Sequence, residues 1–151
     1  MIQMDAMDRD ILLALAGDGR LSAGALGRQF GLSQPAMWRR IKRLQDAGVL
    51  KGRRLRLNSA AVGFGVTVFL GIKLATKGRV SLEDFERAIT AIPEVQSVDH
   101  VLGLYDYRLR VVARDLADFE RVLRRRIMTL PGVGDIESNV LLSEERRMGP
   151  I

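Results

Sequence analysis

The sequence predicts an α+β protein in two parts. An N-terminal three-helix, helix-turn-helix domain is joined by a β linker to a C-terminal ferredoxin-like βαββαβ domain. Three observations predict this. Residues 31–48 read as a glycine turn followed by one basic helix with two unlike faces. The net charge of +6 lies wholly in residues 1–57, with eleven Lys/Arg against five Asp/Glu, whereas residues 58–151 hold thirteen of each. Finally, a helical motif near residue 82 recurs near residue 116, each copy between β-type segments. The expected divisions are 1–50, a linker over 51–62, and 63–151.

In the first part, Asp5 is a capping residue with Asp8 at the capping-box position, and Ile11, Leu12 and Leu15 give the first helix its apolar face. Gly17-Asp18-Gly19 is a turn. Ser22 caps a second helix, Ala23 to Phe30, whose Leu26 and Phe30 point to the core; Gly27 falls where a side chain would crowd the next helix. Gly31 can adopt the left-handed conformation that ends this helix. Ser33 caps the third, and Pro35 sits in its first turn, where a missing N–H costs little. Met37, Ile41 and Leu44 recur at i, i+4, i+7 as a buried stripe, with Ala36, Arg39, Lys42 and Arg43 roughly opposite, and Gly48 ends the helix. A short basic helix anchored in this way suits insertion into a DNA major groove. A plain three-helix bundle is the alternative, but here the charge is concentrated on the third helix.

By position, Gln34, Pro35, Trp38 and Arg39 approach base edges, with the capping Ser33 also among the DNA-binding residues. Arg40, Lys42, Arg43, Arg53 and Arg54 are placed on phosphates. Trp38 flanks the buried stripe, so packing against the first helix and contact with DNA both stay open. The linker alternates basic and apolar residues from Arg54 to Leu57, a strand with one cationic face, and Asn58-Ser59-Ala60-Ala61 closes it as a hinge or turn.

In the second part, Leu82-Glu83-Asp84-Phe85-Glu86-Arg87 is echoed by Leu116-Ala117-Asp118-Phe119-Glu120-Arg121, an offset of 34 residues, and Ile92-Pro93 by Leu130-Pro131, an offset of 38. The second helix is therefore about one turn longer than the first. Strands are expected at Val66–Ala75, Val95–Leu102, Tyr107–Ala113 and Ile136–Leu142, which gives the split βαββαβ sheet. Helices cover one face of such a sheet. The near-continuous apolar run Val66–Ile72 suggests that the other face is apolar as well and is covered by a second copy of the chain. The turn Leu102-Gly103-Leu104-Tyr105-Asp106-Tyr107 is either an ordinary hairpin with surface tyrosines or a loop whose backbone and carboxylate hold a small zwitterion at a subunit interface.

An apolar fraction of 47% with 28% charged residues fits a soluble globular chain. No apolar run approaches the roughly 18 residues needed to cross a bilayer, and no secretion signal is visible, so no membrane association is expected. There is no cysteine and one histidine, which excludes disulfides, thiolate metal sites and His-rich metal cages. No cofactor or metal is expected. Catalysis is disfavoured because neither a nucleophile elbow nor a phosphate-binding glycine loop is present. His100 stands alone in a strand, and Arg124-Arg125-Arg126 is a solvated helix face balanced by Glu120 and its neighbours. RNA binding by the sheet is disfavoured by the lack of stacking aromatics in Val95–Val101 and by the neutral second part.

The chain resembles the Lrp/AsnC (feast/famine) family of prokaryotic transcription regulators over about residues 4–146. The resemblance is carried by Asp5–Leu12, Asp18-Gly19-Arg20-Leu21-Ser22, Gly31-Leu32-Ser33 leading to Arg40-Ile41-Lys42-Arg43-Leu44, Gly48-Val49-Leu50, Gly103–Tyr107 and Leu130-Pro131-Gly132-Val133. It implies a DNA-binding domain followed by a domain for regulation by an amino acid or related small molecule. It also implies dimers that assemble to tetramers, octamers or larger discs. The effector of such proteins sits near the loop matching Gly103–Tyr107, which implies effector-binding roles for Gly103, Leu104, Tyr105 and Asp106, with Ser138 and Asn139 standing where a threonine is frequent. Two departures stand out: Gly52-Arg53-Arg54 replaces the usual Gly-Tyr after the helix-turn-helix, and Leu104 replaces a residue often polar or acidic.

The reading is a sequence-specific regulator acting on double-stranded DNA in the cytoplasm, in association with the nucleoid, and modulated by an effector. The alternative is an effector-independent architectural protein that wraps DNA.

Overall fold

The computed structural model describes residues 3–52, 55, 57–75 and 82–145. They fall into two compact units, one within Met1–Arg56 and Glu145–Ile151, the other Leu57–Glu144.

The first unit is α1 (Ala6–Gly17), α2 (Ala23–Phe30) and α3 (Gln34–Asp46). The expected caps are in place. Asp5 Oδ1 accepts from the Asp8 N–H at 2.7 Å while Asp8 Oδ2 accepts from the Asp5 N–H at 3.1 Å, so two orphan donors of α1 are satisfied reciprocally. Ser22 and Ser33 accept from the N–H groups of Ala25 and Ala36. Gly31 takes φ +70°, which turns the chain from α2 into α3. Gly27 faces the inside of that turn: a Cβ there would lie 2.6 Å from the Leu32 carbonyl oxygen. At its far end α3 closes with two bonds, Val49 N–H to the Leu44 carbonyl at 3.0 Å and Gly48 N–H to the Gln45 carbonyl at 2.9 Å, the Schellman pattern. Ile11, Leu15, Leu26, Met37 and Ile41 form the core, with Phe30, Leu32 and Leu50 against it. Each fully buried aliphatic side chain contributes about 1.5–3 kcal/mol.

Of the linker, Lys51, Gly52, Leu55 and Leu57 are described and belong to no strand; Arg53, Arg54 and Arg56 lie outside the described residues. A strand needs a partner for its N–H and C=O groups, and among the described residues these four pair with no strand. The expected turn after them is a single 3-10 turn, Ala60–Val62, with Asn58 Oδ1 accepting from the Ala61 N–H.

The second unit is β1 (Val66–Leu74), α4 (Leu82–Thr90), β2 (Val95–His100), β3 (Tyr107–Ala113), α5 (Leu116–Val122) and β4 (Val133–Val140). The sheet is antiparallel in the order β2-β3-β1-β4, the ferredoxin-like arrangement. Leu70 pairs with Leu109 on one side and Ser138 on the other. β2 is shorter than expected, and β4 begins earlier. After α5 the helix continues as a π turn over Leu123–Ile127, which supplies the extra length inferred from the two offsets. Val68, Leu70, Ile72, Leu74, Tyr107, Leu109, Val111 and Ala113 face the helices and pack on Phe85, Ile89, Phe119, Val122 and Ile127.

The opposite sheet face corrects one expectation. It is not an apolar surface: alternation along the strands places Arg108 and Arg110 of β3 and Asp135, Glu137 and Asn139 of β4 beside Phe69 and Gly71 of β1. The apolar run in β1 is continuous because its outward residues are covered from above. The Arg110 guanidinium lies 5.4 Å from the Phe69 ring centroid, and the Tyr105 ring covers Gly71 so closely that a Cβ there would be 2.6 Å from Tyr105 Cδ2. Arg110 is also held by Glu144 at 3.0 Å, in the segment that follows β4.

Candidate functional site

Two separate places collect the residues that the sequence nominates. The first is α3. Its stripe Met37, Ile41 and Leu44 is buried, so the helix can present only its other side. Gln34, Pro35, Trp38, Arg39 and Lys42 are all exposed there, together with Ser33 at the cap. Trp38 is 56% exposed and no member of the core cluster. Lys42 forms a surface ion pair with Asp46, one turn on; such a pair is weak and leaves the ammonium available. Gln34 lies over α2, where a Cβ on Gly24 would be 3.5 Å from its Oε1 and 3.8 Å from Arg28 Nη1.

Arg40 and Arg43 stand differently. Arg40 Nη1 donates to Asp5 Oδ2 at 2.7 Å and to Asp8 Oδ1 at 2.8 Å, and Arg43 Nη2 donates to Asp8 Oδ2. The Asp8 side chain is wholly buried. The Arg40 guanidinium and the Asp8 backbone N–H hold the Asp5 carboxyl below the usual carboxylate range, and the two carboxylates raise Arg40 in turn. These two arginines therefore tie α3 to α1. The reading of the sequence missed Asp5 and Asp8 as their partners. The signal was the pair of acids in and before the first turn of α1, which capping alone accounted for. Arg53 and Arg54 lie outside the described residues.

The second place is the loop between β2 and β3. Leu102 and Gly103 are exposed, Leu104 is 72% exposed, and Tyr105 folds back over β1. The Tyr105 hydroxyl donates to Glu137 on β4, Asn139 Nδ2 donates to Glu137 Oε1 at 2.7 Å, and the Arg108 guanidinium lies 5.4 Å from the Tyr105 ring centroid. Tyr105 is raised above the usual phenol range, first by its bond to Glu137, and Glu137 is lowered by its bonds to Asn139 and then Tyr105. Asp106 fastens the loop to the end of β1: its N–H donates to the Ile72 carbonyl and its Oδ2 accepts from the Leu74 N–H, both at 2.9 Å. So the structure brings Tyr105 and Asn139 together through Glu137, a residue not singled out from sequence. Ser138, one step along the strand from Asn139, belongs to the other face by alternation. The clue to Glu137 was the same alternation, which puts it on the face of Asn139.

Among the described residues there is no cluster of His, Cys, Asp and Glu suited to a metal ion, and no helix is long and apolar enough to cross a membrane. Arg124 and Arg126 pair with Glu120 and Glu94, each at 3.0 Å.

Comparison with known proteins agrees with this geometry over both units. Residues 4–45 match the family model of the AsnC-type helix-turn-helix domain, and residues 67–151 match that of the Lrp/AsnC ligand binding domain. The proline dehydrogenase transcriptional activator of Rhizobium radiobacter is 34% identical, over 97% of this chain and 94% of its own length. The Bkd operon transcriptional regulator of Pseudomonas aeruginosa is 36% identical, over 91% of this chain and 90% of its own. Among solved structures, a transcriptional regulator of Neisseria meningitidis in complex with L-Met superposes with a TM-score of 0.89 at 29% identity, covering 96% of this chain and 94% of that one. AsnC of E. coli does so with a TM-score of 0.83 at 26% identity, covering 99% of each. The family and these relatives are transcription regulators, not enzymes. The chain belongs to the Lrp/AsnC family of DNA-binding, helix-turn-helix transcription regulators.

Proposed function

We propose that this protein reads a specific DNA sequence through α3 and that an amino acid or related small molecule modulates its assembly or its affinity for DNA. The observation that carries the first half is the exposed row Gln34, Pro35, Trp38 and Arg39 on a helix whose opposite stripe is buried. Such a row reaches base edges only when the helix is held rigidly from behind, and here it is. Arg39 is the one exposed arginine of α3 with no carboxylate partner among the described residues, so it is free for a bidentate contact to guanine. Lys42, Arg53 and Arg54 are assigned to phosphates.

Support for the second half comes from the loop Gly103–Asp106 beside Glu137 and Asn139, from the ligand-binding description of the domain model, and from a relative solved with L-Met. The proposed assembly is a homodimer able to grow to a tetramer or octamer, acting in the cytoplasm. The architectural alternative draws on Asp106, whose carboxylate already accepts from the Leu74 N–H and is thereby partly committed to the fold.

The test begins with a duplex that the chain selects from a randomised pool. Arg39→Ala then relaxes the sequence preference, by about tenfold in the ratio of selected to random duplex. Arg53→Ala weakens both duplexes alike and reduces the salt slope by about 1. Equal loss on both duplexes for Arg39→Ala sinks its base-reading role. Thermal-shift titration with each of the twenty amino acids addresses the effector. A response to one chemical class supports regulation, and a flat response to all supports the architectural reading.

A further inference from the structure

The structure assigns Asp8, assisted by Asp5, the role of a positioning residue for DNA recognition: it fixes the angle and register of α3 by holding Arg40 and Arg43, which are thereby withdrawn from the phosphate-binding set. This rests on the reading of α3 as the DNA-contacting helix.

The geometry makes the case. Asp8 is the one buried charged residue among those described, at 0% exposure, and both of its carboxylate oxygens are used. Oδ1 takes Arg40 at 2.8 Å, and Oδ2 takes both Arg43 and the Asp5 N–H. Arg40 and Arg43 are three residues apart and so occupy one flank of α3, between the buried stripe and the exposed row. One carboxylate thus grips the helix at two successive points. Asp5 adds a second grip on the same guanidinium at 2.7 Å. A buried charge held by two partners tolerates little displacement, because loss of either leaves charge without compensation in a medium of low dielectric. A hydrophobic stripe alone does not do this. Burial of Met37, Ile41 and Leu44 is non-directional, whereas charge-assisted bonds fix distance and direction.

The consequence runs against simple electrostatics. Asp8→Asn raises by one the net positive charge of a module that already carries all of the excess; it releases Arg43 and leaves Arg40 on Asp5 alone. If Arg40 and Arg43 served phosphates, the variant would bind every duplex more tightly and with a steeper salt dependence. If Asp8 positions α3, the variant loses sequence discrimination.

The experiment measures binding of the full chain and its variants to the selected duplex and to a random duplex across a salt series, well below the melting temperature. Asp8→Asn is expected to lower the ratio of selected to random affinity by about tenfold, the order of one lost base contact, with random binding unchanged or tighter. Arg40→Gln and Arg43→Gln are each expected to weaken the selected duplex without changing the salt slope. Circular dichroism establishes that each variant is folded. Where Asp8→Asn is not, Asp5→Asn serves: its carboxylate is half exposed, it holds the same Arg40, and it is expected to lower the ratio in the same direction by a smaller factor. The proposal is overturned if the aspartate variants keep the ratio. It is equally overturned if either arginine variant flattens the slope by about 0.9, the value for one phosphate contact. Failure of the unmodified chain to prefer any duplex would count against the reading of α3 instead.

Discussion

Tyr107 is fully buried against Phe85, with ring centroids 4.8 Å apart, and its hydroxyl donates to Glu86 Oε1 at 2.9 Å. Burial, and then the bond to that carboxylate, push its phenol up to about 12. An unfolded tyrosine ionises near 10, so below that pH the group is neutral in both states and its contribution to stability is fully present. As pH rises from 10 toward 12, only the unfolded state sheds the proton, and the contribution is lost. Urea unfolding of the unmodified chain and of Tyr107→Phe checks this. The stability gap between the two is expected to stay constant up to about pH 10 and to shrink steadily above it, and a gap that stays level to pH 12 would show the phenol to be unperturbed. None of this was legible in the sequence, where Tyr107 stood as one of two tyrosines in a turn. Its partner Glu86 is 21 residues away on α4, and only the packing of α4 on the sheet joins them.

At the scale of elements, local chemistry was legible wherever cause and effect lie within one turn of each other. The capping box of α1, the serine caps of α2 and α3, the left-handed Gly31 and the stripe of α3 all belong to that class. The repeated helix motif likewise placed α4 and α5 between the right strands. What escaped was set by contacts across the chain: the capture of Arg40 and Arg43 by acids 32 to 35 residues away, and the polar character of the open sheet face. A strand's own run of apolar residues says nothing of its neighbours, and here Arg110 and Tyr105 cover what β1 would otherwise expose. The turn between α2 and α3 permits a decisive test, because two effects of opposite sign meet at Gly27. Helix propensity alone makes Gly27→Ala stabilising by up to about 1 kcal/mol. The Cβ would meet the Leu32 carbonyl at 2.6 Å, and backbone on that side cannot yield without opening the turn. Overpacking of this kind costs about 1–3 kcal/mol, so the clash wins. Thermal unfolding of Gly27→Ala is expected to show a net loss of stability, and a gain would mean that the turn is loose.

For the whole molecule, the division of charge and the two-part fold point to one consequence, which concerns number of copies. A single α3 covers too few base pairs to find a site among many competitors, and two linked copies gain affinity through effective concentration without any new contact. Leu102 is fully exposed and Leu104 is 72% exposed, on a loop that Asp106 pins to β1. A loop that presents two apolar side chains to water suits contact with a second copy of this chain, and we propose that it lies in such an interface. Sedimentation velocity at micromolar concentration is expected to give at least twice the mass of the chain. Leu104→Asp is expected to reduce the assembly by at least one step while leaving the melting of α1–α3 unchanged, since Leu104 belongs to the other compact unit. That variant should also bind a duplex with two spaced half-sites more weakly than the unmodified chain, yet bind a single half-site equally well. A monomer from the unmodified chain would remove the need for any partner on this loop and would leave α3 to act alone.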